Sequence, residues 1–253
     1  MGMSVVDSLC ADLMDQPILE AVPMSTSTDT DQMFGSEYIE LILKLPSGLS
    51  LQINFSDKRY HRQFSPGKDL LCRACGWHLG FRRIWDITAG LAVDTSLLAQ
   101  AGFHVVALER NKYLALMLRH ARQRHLPHQK GLISESEGQG KFAESSIHFL
   151  ERITFLWAES KDFLSKENKD RLDPEVIYYD PMYPAKNKTA LPGKEMQILR
   201  ELNGVNEEDV EILKKAMALD VKRVVVKRPL KAKPILEKPK FQLSSKLVRY
   251  DIY

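Results

Sequence analysis

Ile84-Trp85-Asp86-Ile87-Thr88-Ala89-Gly90-Leu91-Ala92-Val93-Asp94-Thr95-Ser96-Leu97-Leu98-Ala99-Gln100-Ala101-Gly102 reads as a strand, a tight loop and a helix. Ile84, Trp85 and Ile87 flank the acid Asp86, and Thr88-Ala89-Gly90 are small enough for a close turn. Asp94-Thr95-Ser96 offers helix-capping oxygens before the apolar Leu97, Leu98 and Ala101. Gly102 then stops the helix. A second apolar run, Val105-Val106-Ala107-Leu108, follows at once and closes on Glu109. A strand-helix-strand unit whose second strand ends in an acid is the frame of nucleotide-cofactor sites in parallel sheets. A strand-turn-helix without a ligand has the same outline, so the loop chemistry has to decide.

A dinucleotide needs several glycines so that backbone amides can approach a pyrophosphate, yet Gly90 stands alone here and Asp94 puts a negative charge at the helix entrance. Phosphate is disfavoured. S-adenosylmethionine carries a sulfonium, an ammonium and a ribose diol, all of which suit carboxylates. The loop Ala89-Gly90 would wrap it, Asp86 and Asp94 would face its methionine end, and Glu109, nineteen residues beyond Gly90, would accept both ribose hydroxyls.

The wider composition is that of a globular chain: 253 residues, 44% hydrophobic and 27% charged, with a formal net charge of +3. No run reaches transmembrane length, and Asp7, Asp12 and Asp15 break the pattern of a secretory signal, so a cytoplasmic protein without membrane contact is expected. Three cysteines make no disulfide framework. Cys72 and Cys75 with His78 raise zinc, but a fourth ligand is not evident among Cys10, His61 or His104; two small apolar residues on a turn or helix explain them as well, and no metal is expected.

Basic residues gather between Lys222 and Lys240, where Glu237 is the one acid, and Arg59, His61, Arg62, Arg73, Arg82 and Arg83 add to them. This is a polyanion-binding face or a solvated strand edge blunted by lysines. On the first reading Lys227 and Arg228 face nucleic acid.

Residues 1–80 read as a small lobe and linker, and 81–253 as the cofactor domain. Ile39 to Leu45 and Leu49 to Phe55 form a half-buried hairpin around Pro46-Ser47-Gly48. Asn111 to Arg122 is a helix stopped by Pro127, and Gly131 to Ser146 a loop. Ile153 to Trp157 is a third strand, ending at Glu159-Ser160, where an adenine would sit. Asn206 to Leu219 reads as a helix, Val221 to Val226 as a strand and Phe241 to Tyr253 as a closing hairpin.

Val176-Ile177-Tyr178-Tyr179 delivers Asp180-Pro181-Met182-Tyr183-Pro184 to a C-terminal sheet edge. An exocyclic amine on a base is a weak nucleophile because its lone pair spreads into the ring. Methylating it takes acceptors for its N–H bonds and an aromatic face that holds the base in line. Asp180 and the Pro181 carbonyl can accept, and Tyr183 can stack. Lys186 and Lys188 follow and can hold an RNA backbone.

Together, Asp86-Ile87-Thr88-Ala89-Gly90-Leu91-Ala92-Val93-Asp94, Leu108-Glu109-Arg110, Asp180-Pro181-Met182-Tyr183-Pro184 and Arg223-Val224-Val225-Val226-Lys227-Arg228-Pro229 resemble the RsmJ family. These are bacterial small-subunit (16S) rRNA guanine-N2 methyltransferases of the class I, S-adenosylmethionine-dependent type. The resemblance runs from about Tyr38 to Tyr253. It implies an α/β fold, Rossmann-like, with a seven-stranded, mostly parallel sheet and a small N-terminal β-containing lobe. It also implies 16S rRNA or the small ribosomal subunit as partner, and cofactor contacts at Val93, Asp94, Glu109, Arg110, Glu159, Ser160 and Asp180. Ala92 stands where the family usually has a second glycine, Val93 where arginine is common, and Glu159 where a small residue is usual. The family's glycine-rich stretch after the N-terminal lobe is represented by Ser65-Pro66-Gly67-Lys68. The expected activity is methyl transfer to a guanine N2 amine, with Asp180 and Tyr183 as the catalytic pair. A DNA base or a protein glutamine as acceptor, or a non-catalytic RNA-binding module on the same scaffold, are the alternatives.

Overall fold

Short apolar runs build two sheets. The structure, a computed structural model, describes residues 17–23, 39–126, 148–165, 173–183, 193–204, 209–236 and 238–253. Contacts divide these into two units: the described residues within 1–53 and 186–204, and those within 54–185 and 205–253.

The first unit holds an antiparallel sheet of β1 (Ile18–Pro23), β2 (Ile39–Lys44) and β3 (Ser50–Gln52), in that order. The expected hairpin is present, with Leu43 opposite Leu51 and the turn relaxed by Gly48 at φ 83°. Strand β3 stops at Gln52, short of Phe55, because the Asn54 side chain accepts the Ser56 amide and its carbonyl the Asp57 amide, which curls the chain out of the ladder. β1, which the sequence did not announce, pairs along the whole of β2 from Ile18 opposite Lys44 to Pro23 opposite Ile39.

The second unit is built on β4 (Arg83–Asp86), β5 (His104–Glu109), β6 (Ile153–Trp157), β7 (Val176–Tyr179), β8 (Arg223–Pro229), β9 (Phe241–Ser244) and β10 (Val248–Ile252). Their order is β6-β5-β4-β7-β8-β10-β9, parallel from β6 to β8 and antiparallel at β10 and β9. The chain steps outward from β4 through β5 to β6, then returns to β7 on the other side. Strand order therefore reverses beside β4, and the crevice at the C-terminal ends of β4 and β7 is where open parallel sheets take ligands. This is the expected fold class.

The helices are α1 (Leu70–Ala74), α2 (Val93–Gln100), α3 (Lys112–His125), α4 (Ser160–Ser165), α5 (Lys194–Asn203) and α6 (Asp209–Met217), of which α5 belongs to the first unit. Trp85, Ile87, Leu108, Ile177, Tyr179, Val224 and Val226 turn one sheet face onto Phe163 and Leu164 of α4 and Ile212, Leu213 and Ala216 of α6. On the opposite face, register aligns Ile84 with Val105 and Val176, and Asp86 with Ala107 and Tyr178. Asn111 caps α3 by accepting the Tyr113 and Leu114 amides, as its position before the helix requires.

Boundaries in the second unit differ from expectation as well. α2 begins at Val93, with Ala92 rather than a side-chain cap before it, because the oxygens of Asp94 and Thr95 are engaged elsewhere. β8 runs on to Pro229, since β10 pairs with it as far as Val248 opposite Pro229. Cys72 lies in α1 and Cys75 just after it, both buried, and among the described residues no group of three potential metal ligands occurs. No helix among the described residues is long and apolar enough to cross a membrane. The loop at 131–146, the helix start at 206–208 and Lys186 and Lys188 lie outside the described residues.

The closing strand is locked by a buried ion pair. Arg249 donates Nε and Nη2 to Asp251 at 2.7 and 3.0 Å, and donates to the carbonyls of Leu230 and Ala232 at 2.9 and 2.8 Å. Removing the carboxylate leaves a guanidinium buried without its counter-charge. Asp251→Ala is therefore expected to lower the unfolding free energy by about 3–5 kcal/mol in a denaturant titration; a change under about 1 kcal/mol would show that water reaches the arginine.

Candidate active site

The last residue of β4 is Asp86, 1% exposed, with Oδ2 accepting the Thr95 hydroxyl at 2.6 Å and Oδ1 the Thr88 amide at 3.1 Å. Burial pushes its carboxyl up to about 7; the bonds from Thr95 and Thr88 oppose the push, and Asp94 and Asp180 add to it. Asp86 thus supports the loop from beneath, tying it to the first turn of α2.

The loop is fixed from four sides. The Ala89 amide donates to the Leu108 carbonyl at 2.8 Å, the Gly90 amide to Glu109 Oε2 at 3.0 Å, and the Ala92 amide to the Ala89 carbonyl at 2.7 Å. The buried Tyr60 hydroxyl donates to the Leu91 carbonyl at 3.0 Å. Ala92 takes φ 58° and ψ 26°, the left-handed conformation that the family's glycine would adopt freely and that costs an alanine about 1 kcal/mol. The next residue, Val93, is exposed at the start of α2.

Glu109 closes β5, buried, with Oε1 accepting the Asn111 amide at 2.8 Å. The two amides fix the Glu109 carboxylate at the C-terminal end of β5, beside the loop. The Arg110 carbonyl accepts the indole N–H of Trp157 at 3.0 Å, and Trp157, opposite Glu109 in the sheet, is 64% exposed. Glu159 is partly exposed just before α4, and the buried Ser160 hydroxyl donates to the Ile87 carbonyl, joining α4 to the end of β4.

Asp180 follows β7 directly. Its amide donates to Thr88 Oγ1 at 2.7 Å, and its Oδ2 accepts from Lys227 Nζ at 2.9 Å. The same ammonium donates to Asp94 Oδ2 at 2.6 Å, and that oxygen also accepts the Tyr178 hydroxyl at 2.6 Å. Burial raises the Asp180 carboxyl to about 6, against the pull of Lys227 and with the push of Asp94; the side chain is 36% exposed, so water moderates the effect. Burial alone would lower Lys227, but Asp180 and Asp94 outweigh it and hold the ammonium above the ordinary lysine value.

Tyr183 stands on the other side of the turn. Arg228 donates Nη2 to its hydroxyl at 2.7 Å and lies over its ring, 4.4 Å from the centroid. The Arg228 guanidinium is 4.0 Å from Asp209, which accepts the Tyr179 hydroxyl at 2.6 Å. One face of the Tyr183 ring is therefore covered by protein.

The structure brings Asp86, Gly90, Asp94, Glu109 and Asp180 to one sheet edge, with Ser160 at its back. It separates Lys227 from Arg228. Consecutive strand residues point to opposite faces, so Lys227 turns to Asp94 and Asp180 while the buried Arg228 turns to Tyr183 and Asp209, and the outward basic edge expected of the pair is not what they form. Thr88, Thr95, Tyr60 and Tyr178 are further supports of the site. Alternation alone would have placed Tyr178 beside Asp86; nothing local in the sequence points to Tyr60.

A family model described as a SAM-dependent methyltransferase matches residues 19–253. Ribosomal RNA small subunit methyltransferase J of Bdellovibrio bacteriovorus is 36% identical over 206 residues, 80% of this chain and 73% of the relative. The protein of the same name from Agrobacterium fabrum is 39% identical over 173 residues, 68% of this chain and 74% of the relative. Among solved structures, a SAM-dependent methyltransferase from Neisseria gonorrhoeae is similar at 25% identity and TM-score 0.62, covering 85% of this chain and 78% of that one.

The raised Asp86 carboxyl has a measurable sign. Between the ordinary carboxylate value and about 7 the folded chain holds a proton that the unfolded chain has released, so Asp86 costs stability as pH rises through that window. Asp86→Asn should therefore gain roughly 2–4 kcal/mol on the parent between pH 4 and 8 in paired melts. A pH-independent difference would contradict a carboxyl held in this way.

Proposed function

The chain belongs to the SAM-dependent methyltransferase family of the small-subunit ribosomal RNA methyltransferases J, and from that premise we propose that it transfers a methyl group from S-adenosylmethionine to the N2 amine of a guanine in 16S rRNA. The observation that carries the acceptor chemistry is Asp180: a carboxylate at the mouth of the crevice, its backbone fastened to the loop through Thr88 and one of its oxygens held by Lys227. Such a carboxylate can accept from an amine N–H at the point where a methyl donor would lie.

The residues present suit the cofactor. Two carboxylates, Asp94 and Asp180, against one ammonium, Lys227, give the crevice an excess of negative charge beside a single-glycine loop, which favours a cationic ligand over a phosphate. Bound there, S-adenosylmethionine supplies a methyl group already activated on sulfur. In this reading Glu109 takes the ribose hydroxyls, and Asp94 faces the methionine end, with Asp86 behind the loop. The backbone of Ala89, Gly90 and Val93 shapes the loop, and Arg110, Glu159 and Ser160 border the base.

The chain's own work is orientation. Asp180 and the Pro181 carbonyl accept the amine hydrogens, Tyr183 stacks the guanine on the face not covered by Arg228, and the departing proton passes to Asp180. Lys186 and Lys188, close behind the turn in sequence, supply cations for the RNA backbone. A ribosomal RNA acceptor puts this work in the cytoplasm.

The test is transfer of labelled methyl groups to small-subunit rRNA and to small subunits, followed by nucleoside digestion. N2-methylguanosine in the digest is expected, and Asp180→Ala should lower kcat by about 100-fold or more while binding small-subunit rRNA within a few-fold of the parent. Label in another nucleoside, or a fully active Asp180→Ala, would overturn the assignment.

A further inference from the structure

Lys227 lies where its charge is needed least for RNA and most for the site. Its ammonium is 2.6 Å from Asp94 Oδ2 and 2.9 Å from Asp180 Oδ2, and its side chain is 23% exposed. Asp94 is fixed in turn by the Tyr178 hydroxyl, and the Asp180 backbone by Thr88, so both anchors of the lysine are themselves held. With Oδ2 taken, Oδ1 is the carboxylate oxygen of Asp180 left to an incoming group.

We propose that Lys227 is a positioning residue for methyl transfer: it holds the Oδ2 side of Asp180 against Asp94 and so presents Oδ1, ionised, to the N–H of the acceptor amine. The inference rests on the amine-methyltransferase reading above and deepens it. As the nitrogen gains the methyl group and turns positive, its N–H proton passes to Asp180 Oδ1 and from there to water. Lys227 keeps its own proton throughout.

The titratable groups facing Asp180 come from every neighbouring element, Lys227 on β8, Asp94 in α2, Asp86 on β4, Tyr178 on β7 and Tyr250 on β10, and those that act on its carboxyl are Lys227 and Asp94. Of these, Lys227 is the cation. Burial and Asp94 both favour the protonated carboxyl, and a protonated Asp180 cannot take the amine's hydrogen. Asp86 titrates nearby but is engaged with Thr88 and Thr95, so its ionisation contributes to the profile of every variant alike.

The test compares Lys227→Met and Lys227→Arg with the parent in kcat, in KM for S-adenosylmethionine, and in the pH profile from 5 to 9, using small-subunit rRNA as acceptor. Lys227→Met should lose roughly 10- to 100-fold in kcat at pH 7 with KM for S-adenosylmethionine unchanged or lower. Its acid limb should move to higher pH, so that part of the rate returns by pH 9, and Lys227→Arg should restore most of the rate and the parent's limb. A Lys227→Met protein with the parent's kcat and limb overturns the proposal. So does a loss that is uniform across pH and not repaired by arginine, the mark of a merely structural lysine. Melting curves accompany each variant, and where the methionine variant is unfolded at the assay temperature Lys227→Gln, which keeps a hydrogen-bond donor and drops the charge, takes its place with the same expected shift. A parent that binds S-adenosylmethionine yet methylates no RNA overturns the reading beneath the proposal instead.

Discussion

One ammonium group joins three separate pieces of chain. Nζ of Lys227 reaches from β8 to Asp94 in the first turn of α2 and to Asp180 after β7, and Tyr178 completes the cluster through Asp94. These pieces border the point where strand order reverses beside β4. Without a cation there, Asp94 and Asp180 would repel each other at the mouth of the crevice, and the turn carrying Tyr183 would lose its anchor to the helix. The local geometry of the site depends on that compensation more than on any apolar contact.

The cluster is an unfavourable investment for stability alone. Burying ionisable groups costs free energy that their mutual attraction repays only in part, and the acids show it: burial drives the carboxyls of Asp86 and Asp180 up to about 7 and about 6. The two sheet faces divide the labour. Beneath α4 and α6 the face is apolar, with Ile177, Val224 and Val226 closing on Ile212 and Leu213. The face toward α2 carries Asp86, Tyr178 and Lys227, and strongly perturbed acids gathered at one sheet edge are what catalytic sites are built from. The Glu109 carboxylate, by contrast, is held by backbone amides, those of Gly90 and Asn111, and so ties the loop to the end of β5.

Much of this was legible from residue order. The acid-ended runs at Asp86 and Glu109, the small-residue loop and the apolar strand before Asp180 pointed to the parallel frame, since each is a local signal of a short apolar run or of turn chemistry; the seven strands came from the family resemblance, and their order is set by pairings that residue order does not display. The closing hairpin was legible for the same reason. Less was visible where distant contacts decide. The edge strand β1 is defined by its pairing with β2, and the cap expected of Asp94 is overridden because Tyr178 and Lys227, more than eighty residues away in the chain, compete for its oxygens. Lys227 and Arg228 read as one basic edge only when strand alternation is ignored. Applied to Val224-Val225-Val226-Lys227-Arg228, alternation sends the two cations to opposite faces, one to the carboxylates and one to Tyr183.

The proposed chemistry requires the loop at Gly90 and the acid at Glu109 to hold S-adenosylmethionine at the reversal of strand order. Calorimetric titration of the purified protein with S-adenosylmethionine, beside a Glu109→Ala variant shown to melt cooperatively, tests it directly. One site per chain is expected in the parent, with affinity weakened by at least tenfold in the variant, the loss that follows when a buried carboxylate no longer accepts two hydroxyls. Equal affinity in both proteins, or no binding by the parent, would contradict it.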